Sequence, residues 1–134
     1  MSETVEQEIT RKNLIYPRVT PADIDAAIVA EFCFTASHGA QHAGAAQAWP
    51  DPHYECPKAF QALGLLTFCV LVLRNGFTVT GESACASPEN FDAELGRRIA
   101  RDNAKAKVWP LLGYALKEKL TEADSRNYSG PSVD

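Results

Sequence analysis

The chain has 134 residues, 46% hydrophobic and 22% charged, which excludes a disordered polyelectrolyte and fits one globular domain. Thirteen basic against 17 acidic side chains leave a net charge of -4, so nucleic acid is not an expected partner. The longest apolar stretch, Leu63 to Leu73, is too short to cross a bilayer, and the acidic start Met1-Ser2-Glu3 lacks the apolar core of a signal peptide. These features point to the cytoplasm. Cys33, Cys56, Cys69 and Cys85 are too few and too irregularly spaced for a disulfide framework and are expected to be thiols.

Residues 1–19 read as an extended leader, with Tyr16-Pro17 biased away from helix. One domain is expected over residues 20–120 and a flexible tail over 121–134. Thr20-Pro21-Ala22-Asp23 is a helix start, with a capping threonine, proline at the first position and an acid at the positive end of the dipole. Ile24, Ala27, Ile28 and Phe32 follow at helical spacing, predicting a helix over 21–34. Residues 36–58, rich in alanine and holding Pro50, Pro52 and Pro57, read as a long loop.

Leu65 to Leu73 is apolar on both faces and leads into Arg74-Asn75-Gly76 and then Phe77 to Gly81. Asn-Gly favours a two-residue type I′ turn, which sets Arg74 opposite Phe77, Leu73 opposite Thr78 and Val72 opposite Val79. Ser87-Pro88-Glu89-Asn90 is a second helix start, and Phe91, Leu95 and Ile99 define the expected buried stripe. Arg97, Arg101 and Lys105 then form a basic stripe pointing away from the core. Trp109-Pro110 is expected to break or kink this helix before a last one carrying Leu112, Leu116 and Leu120. The fold expected is α+β: an antiparallel hairpin packed with an N-terminal helix and two C-terminal helices.

The run Leu66-Thr67-Phe68-Cys69-Val70-Leu71-Val72-Leu73-Arg74-Asn75-Gly76-Phe77-Thr78-Val79-Thr80-Gly81-Glu82-Ser83-Ala84-Cys85 resembles the central block of the gene 49/gene 66-like family of small tailed-phage and prophage proteins. The likeness continues through Ser87 to Arg97 and into Trp109-Pro110-Leu111-Leu112-Gly113-Tyr114. That family is defined by sequence rather than by activity. The resemblance therefore implies phage origin and action in the cytoplasm of an infected bacterium, and it brings no catalytic residues.

Three constellations invite chemistry. Cys33, His38, His42, His53 and Cys56 offer zinc-type donors, but no Cys-x-x-Cys pair exists and Gly39 separates the histidines, so neither metal nor cofactor is expected. Gly81-Glu82-Ser83-Ala84-Cys85 approaches a nucleophile elbow but lacks its second glycine and a nearby base, so no catalytic residue is expected. The loop Gly81 to Asn90, opening at a helix N-terminus, is the candidate binding site. It offers Gly81, Ser83, Ser87 and Asn90, with Arg97, Arg101 and Lys105 further along.

The function expected is that of a non-enzymatic phage accessory protein that binds a host protein, a defence or metabolic factor. The alternatives are a binder of a small anion, such as a nucleotide signal, at loop 81–90, and a virion or assembly component. A homodimer through the hairpin 65–81 is also expected. The doubly apolar strand would otherwise leave an open edge, and a two-fold axis is the commonest way to close one.

Overall fold

The computed structural model describes residues 2–43 and 56–127. It contains α1 (Val5–Arg11), α2 (Pro21–Ala27), β1 (Ile28–Thr35), α3 (Ala36–Ala43), α4 (Cys56–Gly64), β2 (Leu66–Leu73), β3 (Thr78–Ala84), a 3-10 turn at Pro88–Asn90, and α5 (Ala93–Asn127). The class is α+β, with the three strands in one antiparallel sheet ordered β1-β2-β3. Chain contacts group the described residues into two units, Ala27–Val108 and the pair of segments Met1–Ala26 and Trp109–Asp134.

In the second of these units the leader is not wholly extended. Thr4 caps α1 by accepting from the Gln7 N–H, while the Gln7 side chain accepts from the Thr4 N–H. Thr20 caps α2 in the same reciprocal way with Asp23, as the sequence predicts. That helix stops at Ala27, however, and residues 28–35 form a strand instead of the second half of a helix. Ile28 and Phe32 suit either period, while Phe34 fits only alternation. The long-range ladder to Leu66–Leu73 decides between them, because a strand apolar on both faces pairs on both edges.

β2 is therefore the central strand, and the expected open edge is filled by β1. The turn also differs from expectation. Positive φ occurs at Gly76 (88°) and not at Asn75, and the Gly76 N–H donates to the Leu73 carbonyl at 2.8 Å. The loop is thus three residues long, with glycine in the left-handed position. Leu73 then lies opposite Phe77, and the register moves by one: Val72 faces Thr78 and Leu71 faces Val79. The Arg74 N–H donates to the Ala27 carbonyl, tying this loop to the start of β1.

Thr67, Cys69, Leu71 and Leu73 fill the buried face of β2, and α5 covers that face. The buried stripe of α5 is Gly96, Ala100, Ala104 and Val108. The larger Leu95 and Ile99, expected to be buried, remain 42% and 41% exposed. Small side chains win because the backbones meet. A Cβ built on Gly81 of β3 would lie 2.2 Å from the Ala100 carbonyl oxygen and 2.3 Å from the Ala104 nitrogen. Ser87 starts only the 3-10 turn and makes no side-chain cap, whereas Asp92 accepts from the Leu95 N–H and opens α5. Pro110 sits inside α5, so the two C-terminal helices expected form one continuous element of 35 residues. The loop expected over 36–58 is shortened by α3 and α4; its residues 44–55, His53 among them, lie outside the described residues.

Gly81→Ala should destabilise the protein by about 3 kcal/mol or more, because neither contacting atom belongs to a flexible side chain. Gly113→Ala, with open space around its Cβ, should instead stabilise by about 0.5–1 kcal/mol. Urea unfolding of both variants checks this, and equal effects would contradict the close approach of α5.

Candidate functional site

With Gly96, Ala100 and Ala104 seated on the sheet, the residues one position later turn to the β1 side and those one position earlier to the β3 side. Asn103 donates to the Glu82 carbonyl of β3 at 2.9 Å. Arg101 on the opposite flank donates from Nε to Glu31 Oε1 of β1. Arg101 and the half-buried Lys105 therefore flank the core, which corrects the orientation expected for them, whereas Arg97 stands exposed.

Glu31 gathers more than Arg101. In the antiparallel register Cys33 lies opposite Cys69, and Glu31, two residues before Cys33, shares its face of the sheet. The Cys33 and Cys69 thiols both donate to the oxygen that Arg101 holds, at 3.6 Å and 3.8 Å. The Arg101 hydrogen bond, outweighing partial burial, keeps the Glu31 carboxyl below its usual range. Cys69 is fully buried, and burial, reinforced by the neighbouring Cys33, raises its thiol well above the ordinary value.

Glu31, Cys33 and Cys69 place three possible ligand atoms within 4.8 Å of one another. The donor types suit zinc, but a cation would require both thiols to ionise and Arg101 to release the carboxylate. The arrangement is complementary to the protonated thiols. Of the donors weighed from sequence, Cys33 joins this cluster, His38 lines the cavity beside it, and His53 is not among the described residues.

That cavity, of about 210 Å³, is bounded by Cys33, Thr35, His38, Thr67, Phe91 and Arg97, with Phe34 and Ala93. Thr67 is 2% exposed, and its hydroxyl has no partner among the described residues. Gly96 lies directly over it: a Cβ there would come within 3.1 Å of Thr67 Oγ1. The Thr35 hydroxyl, by contrast, is shared with Ser37 and accepts from the His38 N–H.

The remaining residues of the expected loop site lie apart. Gly81 is packed beneath α5, Ser83 and Asn90 line a separate cavity of about 140 Å³ with Asp92 and Leu95, and Ser87 donates to Glu89 at 2.6 Å. Asp92 already supplies a carboxylate to the N-terminus of α5. Arg97 joins Thr67 and Arg101 joins Glu31, while Lys105, half-buried, lies one turn further along. Glu31, Thr67 and Cys69 escaped sequence reasoning because only the strand register brings them together.

The sequence of residues 19–120 matches the Phage protein (N4 Gp49/phage Sf6 gene 66) family, and the chain belongs to that family. No curated protein and no solved structure matches it. No helix among the described residues is long and apolar enough to cross a membrane.

Because Glu31 is held below its usual range, the folded state favours its charged form. That contribution is fully present above the ordinary carboxylate value and is lost as the pH falls through the lowered one. Arg101→Met should cost about 0–1 kcal/mol near pH 7, as the pair is partly exposed, and the gap should close in acid. Urea midpoints across that range check it; a gap independent of pH would contradict the pairing. In thiol labelling of the native protein, Cys69 should react only on unfolding, well after Cys33 and Cys85. Labelling of Cys69 at the rate of Cys33 would contradict its burial.

Proposed function

We propose that this phage-encoded protein acts by binding, without catalysis, and that its partner is a host protein met in the bacterial cytoplasm. The observation that carries this reading is the second face of the sheet. The register places Ala30, Phe32 and Phe34 of β1 beside Val72, Val70 and Phe68 of β2 there, with Thr78, Thr80 and Glu82 of β3 along the border. Phe34 and Phe68 meet at a ring-centre distance of 6.0 Å, and Gly39 of α3 lies against the Phe34 ring. Phe32 has no such cover and is 59% exposed. A contiguous apolar patch with a polar border has the anatomy of a protein interface.

Charge argues for a partner other than a second copy. The chain carries a net charge of -4, and Glu82 stands exposed at the border of the patch. Two copies would bring like charges together, whereas a partner with an apolar patch and a basic border would complement both features. The argument for dimerisation from an unpaired β2 edge no longer applies, since β1 and β3 fill both edges.

Phe32→Glu should leave cooperative unfolding intact and weaken partner binding at least about tenfold, as loss of a central aromatic anchor does. Glu82→Lys should weaken it less, by slowing association. The assay uses a partner captured from the host and purified, then recombined with the chain. A complex insensitive to Phe32→Glu would refute the docking face. Light scattering that gives a dimer of the wild type and a monomer of Phe32→Glu would assign the face to a second copy. Presence of the protein in purified particles would favour an assembly role.

A further inference from the structure

We propose that Cys33 and Cys69 are an oxidation site, a dithiol that hydrogen peroxide converts to a disulfide across β1 and β2. The site is separate from the sheet face proposed for docking, since both side chains lie on the α5 side of the sheet. The first observation is the pairing geometry. The Leu73 N–H donates to the Phe77 carbonyl and the Cys85 N–H to the Leu65 carbonyl. Odd-numbered residues of β2 therefore turn their backbone groups toward β3. The Arg74 N–H, of the opposite parity, turns to Ala27. Cys69 thus points its N–H and carbonyl away from β1, and Cys33 and Cys69 form a non-hydrogen-bonded antiparallel pair. Such pairs bring Cα atoms to about 4.5 Å with the side chains close together, inside the span of about 4.4–6.8 Å that a disulfide bridges. Cys85, beyond the end of β3, donates instead to the Ser87 carbonyl.

The second observation is that the two sulfurs differ in access and share one proton acceptor. Cys33 is half-buried and borders the cavity of about 210 Å³, which admits a molecule as small as peroxide, whereas Cys69 is fully buried. Both thiols donate to Glu31 Oε1, and the Arg101 guanidinium held at that oxygen sets a positive charge beside the sulfurs. A partly accessible cysteine with a cation close by and a second thiol within reach is the arrangement of a redox-sensitive pair. The Cys33 sulfur attacks one peroxide oxygen. An S–O bond forms, the O–O bond breaks, and the thiol proton leaves with the departing hydroxide as water. The Cys69 sulfur then attacks the Cys33 sulfur, which forms the S–S bond and breaks the S–O bond. Glu31 accepts the Cys69 proton and passes it to the departing hydroxide, the second water. Two thiols lose two electrons and two protons, and one peroxide becomes two waters. Burial, and after it the neighbouring Cys33, keeps the Cys69 thiol protonated until that step, so Cys33 is oxidised first.

The full chain, reduced and freed of reductant, is treated with stoichiometric hydrogen peroxide at neutral pH and mapped by mass spectrometry. The intact mass should fall by about 2 Da, with Cys33 and Cys69 joined in one chain and released by dithiothreitol. The oxidised chain should melt at least about 5 °C higher, because the bond closes a long loop in the unfolded state. Cys69→Ala should stop at a sulfenic acid on Cys33, which dimedone traps. Cys33→Ala, altered at the more accessible sulfur, should leave Cys69 a thiol, and it carries the comparison if Cys69→Ala does not fold. The proposal is overturned if either cysteine bonds instead to Cys56, to Cys85 or to a second chain. It is overturned equally if Cys33 proceeds to sulfinic acid while Cys69 stays a thiol, if neither sulfur reacts, or if the oxidised chain melts no higher than the reduced one. Oxidation of Cys69 in Cys33→Ala at the wild-type rate would overturn the order of attack.

Discussion

Gly81 and α5 approach so closely that any side chain on that strand position would overlap the helix backbone at Ala100 and Ala104. Neighbouring features of the unit Ala27–Val108 follow from this contact. A helix lying this low on a sheet needs small residues along its seam, and Gly96, Ala100 and Ala104 supply them. Its flanking residues then reach sideways instead of down. Arg101 arrives at Glu31 on one side and Asn103 at the Glu82 carbonyl on the other. The Gly96 backbone in turn closes over Thr67, which shuts the hydroxyl away from solvent. Dispersion and exclusion of water stabilise the seam, and lateral polar contacts fix where along the sheet the helix sits.

The two faces of the sheet differ in consequence. Along α5 a thiol pair, a partly exposed carboxylate and a guanidinium satisfy one another, and the buried Thr67 hydroxyl has no partner among the described residues. The opposite face carries aromatic and branched side chains that a lone domain gains nothing by exposing. Membership of a phage family defined by sequence agrees with use of that face for recognition and does not dictate it.

The α+β class was legible because the Asn75-Gly76 pair and the Thr20 cap are local signals that tertiary contacts left in place. The turn type was not. Positive φ falls at Gly76 alone, and the Arg74 N–H donates to the Ala27 carbonyl at the end of α2, a partner far away in sequence. β1 itself was hidden because Ile24, Ala27, Ile28 and Phe32 follow helical spacing, and only pairing with β2 overrides it. The seam of α5 was missed for a related reason. Alanine and glycine carry little hydrophobic signal, and Leu95 and Ile99 drew attention to the wrong flank. Arg97 and Arg101 were visible as a stripe, but the reach of Arg101 to Glu31 was hidden by that misplaced core. Thr67, Cys69 and Glu31 had no signal in sequence, since a register across dozens of residues unites them.

Nuclear Overhauser contacts in the native protein would test the seating of α5 most directly. The Gly81 α-protons should show strong cross-peaks to the backbone protons of Ala100 and Ala104, with Ala100 and Ala104 methyl groups free of water contacts. Cross-peaks joining β2 and β3 to Leu95 and Ile99 instead, with none from Gly81 to the helix backbone, would mean that the large residues form the seam. In that case the placement of Arg97, Arg101 and Thr67 argued above would be wrong.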